Sequence, residues 1–140
     1  MSFDVFVIES SDSPDELDAA IEAAMTTGGA VTRDGWITTA DGFGFEHYGS
    51  MFPLRGWADS MGELLFVIAE RTSSFILPVG EDSVAFRTPG NKGAPPDGLE
   101  DTVDIVDVKD AADLSRGISP AFYGWASFRD YALKHINPEG

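Results

Sequence analysis

Apolar and polar residues alternate from Phe3 to Glu9 in a stretch rich in Val, Ile and Phe, which predicts an opening β-strand. In the following SPDELDAAIEAAM the period lengthens, and Leu17, Ala20, Ile21, Ala24 and Met25 fall on one face of a helix. Ser13 stands at the N-cap position, Pro14 at the first helical position and Glu16 three residues after Ser13, so the spacing predicts a capping box. Asp15, Glu16 and Asp18 lie near the positive end of the helix dipole, and TTGG at 26–29 ends the segment.

From Ala30 to Tyr48 the period falls to two, and the D-G pairs at 34–35 and 41–42 divide the segment into AVTR, WITTA and FGFEHY. A D-G pair between such runs predicts a hairpin. Asp41 and Gly42 then make a turn, Phe43, Phe45 and His47 share one face of the returning strand, and Gly44, Glu46 and Tyr48 share the other. Gly44 marks a bulge or a close backbone approach.

Trp57, Met61, Leu64, Leu65 and Ile68 recur at helical spacing, with Phe66 and Val67 widening the apolar surface, which predicts a central, heavily buried helix over 57–71. A second S-x-x-E, Ser60 to Glu63, leaves two possible starts for it. SSFILPVG and SVAFRT, separated by Glu81 and Asp82, predict a strand pair in which Pro78 restricts the first member to an edge or a short length. TPGNKGAPPDG, residues 88–98, has the composition of a surface loop and, flanked by Arg87 and carrying Lys92, is the least acidic long loop of the chain. Thr102 to Val108 is expected as a strand. Ser119 and Pro120 open a last helix with Phe122, Trp125, Ala126, Arg129, Leu133 and Ile136 on one stripe, closed by Asn137 and Pro138.

The order that results is βα(βββ)αβββα. Strands come in hairpin-linked groups, so the expected class is α+β: a largely antiparallel sheet with about three helices packed on one face. The 140 residues suit a single globular domain, 1–140, large enough to bury its own core.

Composition narrows the chemistry. There is no cysteine, which removes thiol catalysis, redox pairs, thiolate metal sites and disulfides. The net charge of −15, from 24 acids against nine bases, repels phosphate backbones and anionic lipid, so neither nucleic acid nor membrane is an expected partner. No apolar stretch reaches the ~18 residues of a membrane span. The start MSFDVFVIES has an acid inside its apolar run and no basic leader, and the expectation is a soluble cytoplasmic protein of bacterial type. No cofactor and no metal are expected.

His47 with Glu46, and Asp41 nearby, are the candidates for catalysis, since a histidine beside a carboxylate can act as a base. Neighbours in a strand point to opposite faces, however, so Glu46 is badly placed to orient His47. His135 falls in the last turn of the final helix, where a cation suits the dipole, and the chain has no G-x-S-x-G elbow. GNKGAPPDG lacks the order of a phosphate-cradling P-loop and is not expected to lead into a helix.

Asp101, Asp104, Asp107, Asp110 and Asp113 form a ladder of three-residue steps. It lacks the glycine and glutamate of a calcium loop and suits a solvated edge strand that runs into a loop. Its functional counterpart is an acidic docking rim, to which exposed Tyr123 and Tyr131 of the last helix would add. The preferred function is therefore a small acidic non-catalytic protein-binding module, an inhibitor or regulator of a partner with a basic surface. Partner-binding residues are Asp101, Asp104, Asp107, Asp110, Tyr123 and Tyr131. Two alternatives stay open: an enzyme or small-molecule binder with an aromatic-lined pocket around His47, completed by Glu46 and by Arg33 or Arg55, and a structural subunit that joins identical copies.

Overall fold

The computed structural model of the chain describes residues 3–33, 36–46, 48–54, 58–79 and 84–118. His47, Arg55, Trp57, the D-G pair at 34–35, Glu81 and Asp82, and the whole final helix with Tyr123, Tyr131 and His135 lie outside the described residues.

The elements run β1 (Phe3–Ile8), α1 (Leu17–Thr27), β2 (Val31–Arg33), β3 (Trp36–Thr38), β4 (Gly44–Phe45), β5 (Met51–Leu54), α2 (Asp59–Thr72), β6 (Phe75–Pro78), β7 (Val84–Arg87), α3 (Leu99–Thr102), β8 (Asp104–Asp107) and α4 (Ala111–Ile118). The strands form two sheets, a five-stranded one in the order β5-β1-β6-β7-β8 and a three-stranded one in the order β2-β3-β4. Pairing is antiparallel except between β7 and β8, which are parallel. The class is α+β, as the hairpin grouping requires.

β1 alternates as expected, with Val5 and Val7 buried and Asp4, Phe6 and Ile8 half-covered. β5 and β6 are both antiparallel to β1, one on each side, and are therefore parallel to each other. α2 makes the crossover that joins them, and this explains its burial: Met61, Leu64, Leu65, Ile68 and Ala69 are all enclosed. α1 and α4 both pack against α2, so the other two helices gather around this long, centrally placed one. The core takes Val5 and Phe86 from the large sheet, Ile37 and Phe45 from the small one, and Ile21, Leu65 and Leu114 from three helices.

One local expectation changes, one strand is added, and the Pro78 strand proves short, not an edge. The capping box at Ser13 does not form: Ser13 Oγ accepts from the Ser10 amide at 2.9 Å and donates to the Ser73 carbonyl at 3.0 Å, and α1 begins only at Leu17, after Glu16. A hydroxyl that ties two distant segments has been taken from the local cap. β5 had no counterpart in the pattern because Pro53 interrupts it; the strand exists on the sheet edge, where a residue without N–H is tolerated. Pro78 sits in a short strand that is nonetheless central, because the β6–β7 ladder uses Phe75 and Ile76 and the proline lies beyond it.

The Asp41–Gly42 turn is present. Gly42 has φ +96°, its amide donates to the Thr39 carbonyl at 3.0 Å, and the Thr39 amide donates to Phe43 at 2.8 Å. Thr39 Oγ1 donates to Asp41 at 2.5 Å, accepts from the Phe43 amide at 3.0 Å and lies 3.2 Å from Ser60 Oγ, tying the turn to α2. Ser60 is thus inside α2, which starts after Ala58. Gly44 is the place of close approach: a Cβ there would meet the Trp36 indole, with Cε2 and Cζ2 at 2.8 Å.

Candidate functional site

β7 and β8 run side by side in parallel register, from Val84 opposite Asp104 to Arg87 opposite Asp107, so the segments that leave them emerge at the same sheet end. The carboxyl ends of the two strands therefore adjoin, and the segments that follow them flank a crevice. Here the crevice is a cleft of about 640 Å³ between loop 88–93 and the turn at 108–110. Arg87, Thr88, Asn91 and Lys92 line one side, and Asp107, Lys109 and Asp113 line the other.

The loop TPGNKG is held from several directions. Gly90 donates its amide to the Glu70 carboxylate of α2, and residues 11 and 94 exchange two bonds: Ser11 N–H to the Ala94 carbonyl at 2.9 Å and Ala94 N–H to Ser11 Oγ at 2.8 Å. Gly93 lies so close to the Ser10–Asp12 turn that a Cβ would stand 2.7 Å from the Asp12 nitrogen. Inside the loop, the Asn91 amide donates to the Thr88 carbonyl at 3.1 Å and Asn91 Oδ1 accepts from the Gly93 amide at 3.0 Å. That last bond fixes which way the Asn91 carboxamide faces.

Two carboxylates line the cleft, and both are engaged. Asp107 receives Arg87 Nε at 2.6 Å and Nη2 at 3.2 Å, a two-pronged pair that raises the arginine pKa above its ordinary value. Asp113 is buried, is paired with Arg116 and accepts the Lys109 amide at 3.2 Å, while its own amide donates to Asp110 Oδ1 at 2.8 Å. Asp110 and Asp113 therefore close the N-terminus of α4 between them. Lys92 and Lys109 are exposed and take part in no ion pair among the described residues. Thr88 Oγ1 and Asn91 Nδ2 are buried and have no hydrogen-bond partner among them either. A donor left so costs about 1–3 kcal/mol.

The aspartate ladder is dispersed by the fold. Asp101 on α3 and Asp104 on β8 stay exposed, Asp107 faces Arg87, Asp110 is a helix cap, and Asp113 is enclosed instead of solvated. The loop predicted after Val108 is the first turn of α4, whose short length and charged start hid it in the sequence. Loop 88–98 also leads into a helical turn, α3, contrary to expectation.

Glu46 accepts from the Tyr48 hydroxyl at 3.1 Å, which holds the phenol pKa up and shows the shared face expected of alternate residues. With Trp36, Gly44, Phe45 and Pro53 it lines a shallow pocket of about 180 Å³ that Arg33 does not join. Among the described residues no three of His, Cys, Asp and Glu gather closely enough to hold a metal ion, and no helix is long and apolar enough to cross a membrane. The cleft itself escaped the sequence reading because its cations are 22 residues apart at the extremes, Arg87 to Lys109; the relief from acidity around Arg87 and Lys92 was the one available signal. No protein-family model, curated protein or solved structure matches the chain.

Proposed function

We propose that the protein is a non-catalytic binding module that holds a small anionic ligand in the cleft between loop 88–93 and the β8–α4 turn. The observation that carries this is the Asn91 carboxamide beside the cleft: Asn91 is one of the lining residues, its oxygen is engaged by Gly93, and its NH2 is buried without a partner among the described residues. A ligand oxygen that reaches this NH2 through a small shift of the loop would satisfy it, with Lys92 and Lys109 of the lining supplying charge. Among the described residues, the lining holds no serine, cysteine or histidine, which favours binding over covalent chemistry. Titration with a panel of small anions, followed by thermal shift and by the Asn91 side-chain amide signals in NMR, tests the proposal; an unmoved Asn91 signal throughout the panel would refute it.

A second reading has its own support. Asp97, Glu100, Asp101 and Asp104 are exposed in succession along α3 and the β8 edge, a surface suited to a basic protein partner. Its test is capture of such a partner at low salt and its release at high salt, since association between exposed charges is screened. Retention unchanged by salt would count against it.

A further inference from the structure

Resting on the anion-binding reading, we infer that the anionic group seated in this cleft is a phosphoryl group carried by a small molecule, not a carboxylate. Arg87 is the one side chain there whose planar fork matches a carboxylate, and Asp107 already occupies that fork through Nε and Nη2. The cations that remain, Lys92 and Lys109, are point charges without a planar preference, the kind that serves phosphate.

Charge points the same way. Of the charged residues that line the cleft, the two acids are each matched, Asp107 by Arg87 and Asp113 by Arg116, which leaves the two lysines as the excess within the lining. Glu70 and Asp110 next to it are engaged by the Gly90 and Asp113 amides. A phosphate monoester carries about −1.5 to −2 at neutral pH and balances both, whereas a monocarboxylate balances one. The N-terminus of α4 adds nothing, because Asp110 and Asp113 already satisfy it. The lining also draws on two separate segments: Thr88, Asn91 and Lys92 belong to the loop after β7, and Lys109 to the turn after β8. The cleft, at about 640 Å³, exceeds what inorganic phosphate fills, and Pro89 and Val108 give its wall an apolar portion against which the rest of a phosphorylated small molecule can lie.

The test is calorimetric titration of the full chain, at one ionic strength and pH 7.5, with phenyl phosphate, inorganic phosphate and benzoate. Phenyl phosphate should bind about tenfold more tightly than benzoate, and Lys92→Gln and Lys109→Gln should each weaken it by about tenfold. Tighter binding of phenyl phosphate than of inorganic phosphate supports the apolar wall and a phosphomonoester; the reverse order would remove the small-molecule part of the inference. Benzoate binding as tightly as phenyl phosphate would overturn the phosphoryl assignment and leave the anion-binding reading standing. Failure of all three to bind would overturn both. Phenyl phosphate affinity untouched by either lysine substitution would place it elsewhere and overturn the inference. Both lysines are exposed, so these variants keep the fold.

Discussion

Arg87 lies directly opposite Asp107 on the neighbouring parallel strand and grips it with two donors, at 2.6 and 3.2 Å. The pair closes one end of the cleft and withholds the guanidinium from any ligand. Asp107→Asn removes the competing charge, so benzoate affinity should rise by about tenfold while phenyl phosphate gains less. Stability should change little, by about 0–1 kcal/mol, because both side chains are substantially exposed. Titrations of the variant and the parent with both ligands check this, and an unchanged preference would mean that Arg87 does not face the ligand.

Asp110 caps α4 through the Asp113 amide at 2.8 Å. Asp110→Ala should lower stability by about 1 kcal/mol, and Asp110→Asn by less, because the amide oxygen can still accept that bond. Urea denaturation of the three proteins reads the ranking; equal midpoints would show that the cap contributes nothing.

Asp41 titrates below the ordinary carboxylate value of 3.8 because the Thr39 and Ser60 hydroxyls stabilise its charged form. A pKa depressed in the folded state adds stability above the unfolded-state value, and that increment is lost as pH falls through the folded one. The stability difference between the parent and Asp41→Asn should therefore be full at neutral pH and shrink below about pH 4. Thermal melts at pH 7, 4 and 2.5 follow it, and a gap that widens on acidification would contradict the sign.

Gly44 leaves room for the Trp36 indole, which a Cβ would strike. Trp36 is about half exposed and can swing outward. Gly44→Ala should thus cost about 1–2 kcal/mol and shift Trp36 fluorescence to the red, and the cost should fall away in a Trp36→Ala background. A full cost in both backgrounds would assign it to the strand backbone instead.

Phe52 is fully buried on β5 and packs its ring against Phe45 at 6.0 Å between centroids, joining the two sheets. Phe52→Ala should cost about 3–5 kcal/mol. A loss under about 1 kcal/mol would mean that the proline-containing strand is peripheral to the core.

The sequence alone determined the elements that bury one face through a regular period. β1, the apolar stripe of α1, α2 and the Asp41–Gly42 turn follow from spacing and from turn chemistry, which act between residues a few positions apart. The antiparallel α+β class follows from the hairpin grouping. Tertiary structure decided whatever depended on competition between distant partners. Ser13 leaves its local cap for the Ser73 carbonyl, Pro53 is admitted because β5 is an edge, and Pro78 because the ladder ends before it. Regular aspartate spacing carried no information about which carboxylates would face solvent, since the ladder is divided among a helical turn, a strand and a second helix, whose periods differ. The cleft is the clearest instance: only the parallel register of β7 and β8 brings Asn91 and Lys92 to the same crevice as Lys109, and a sequence pattern contains no term for which strand lies beside which.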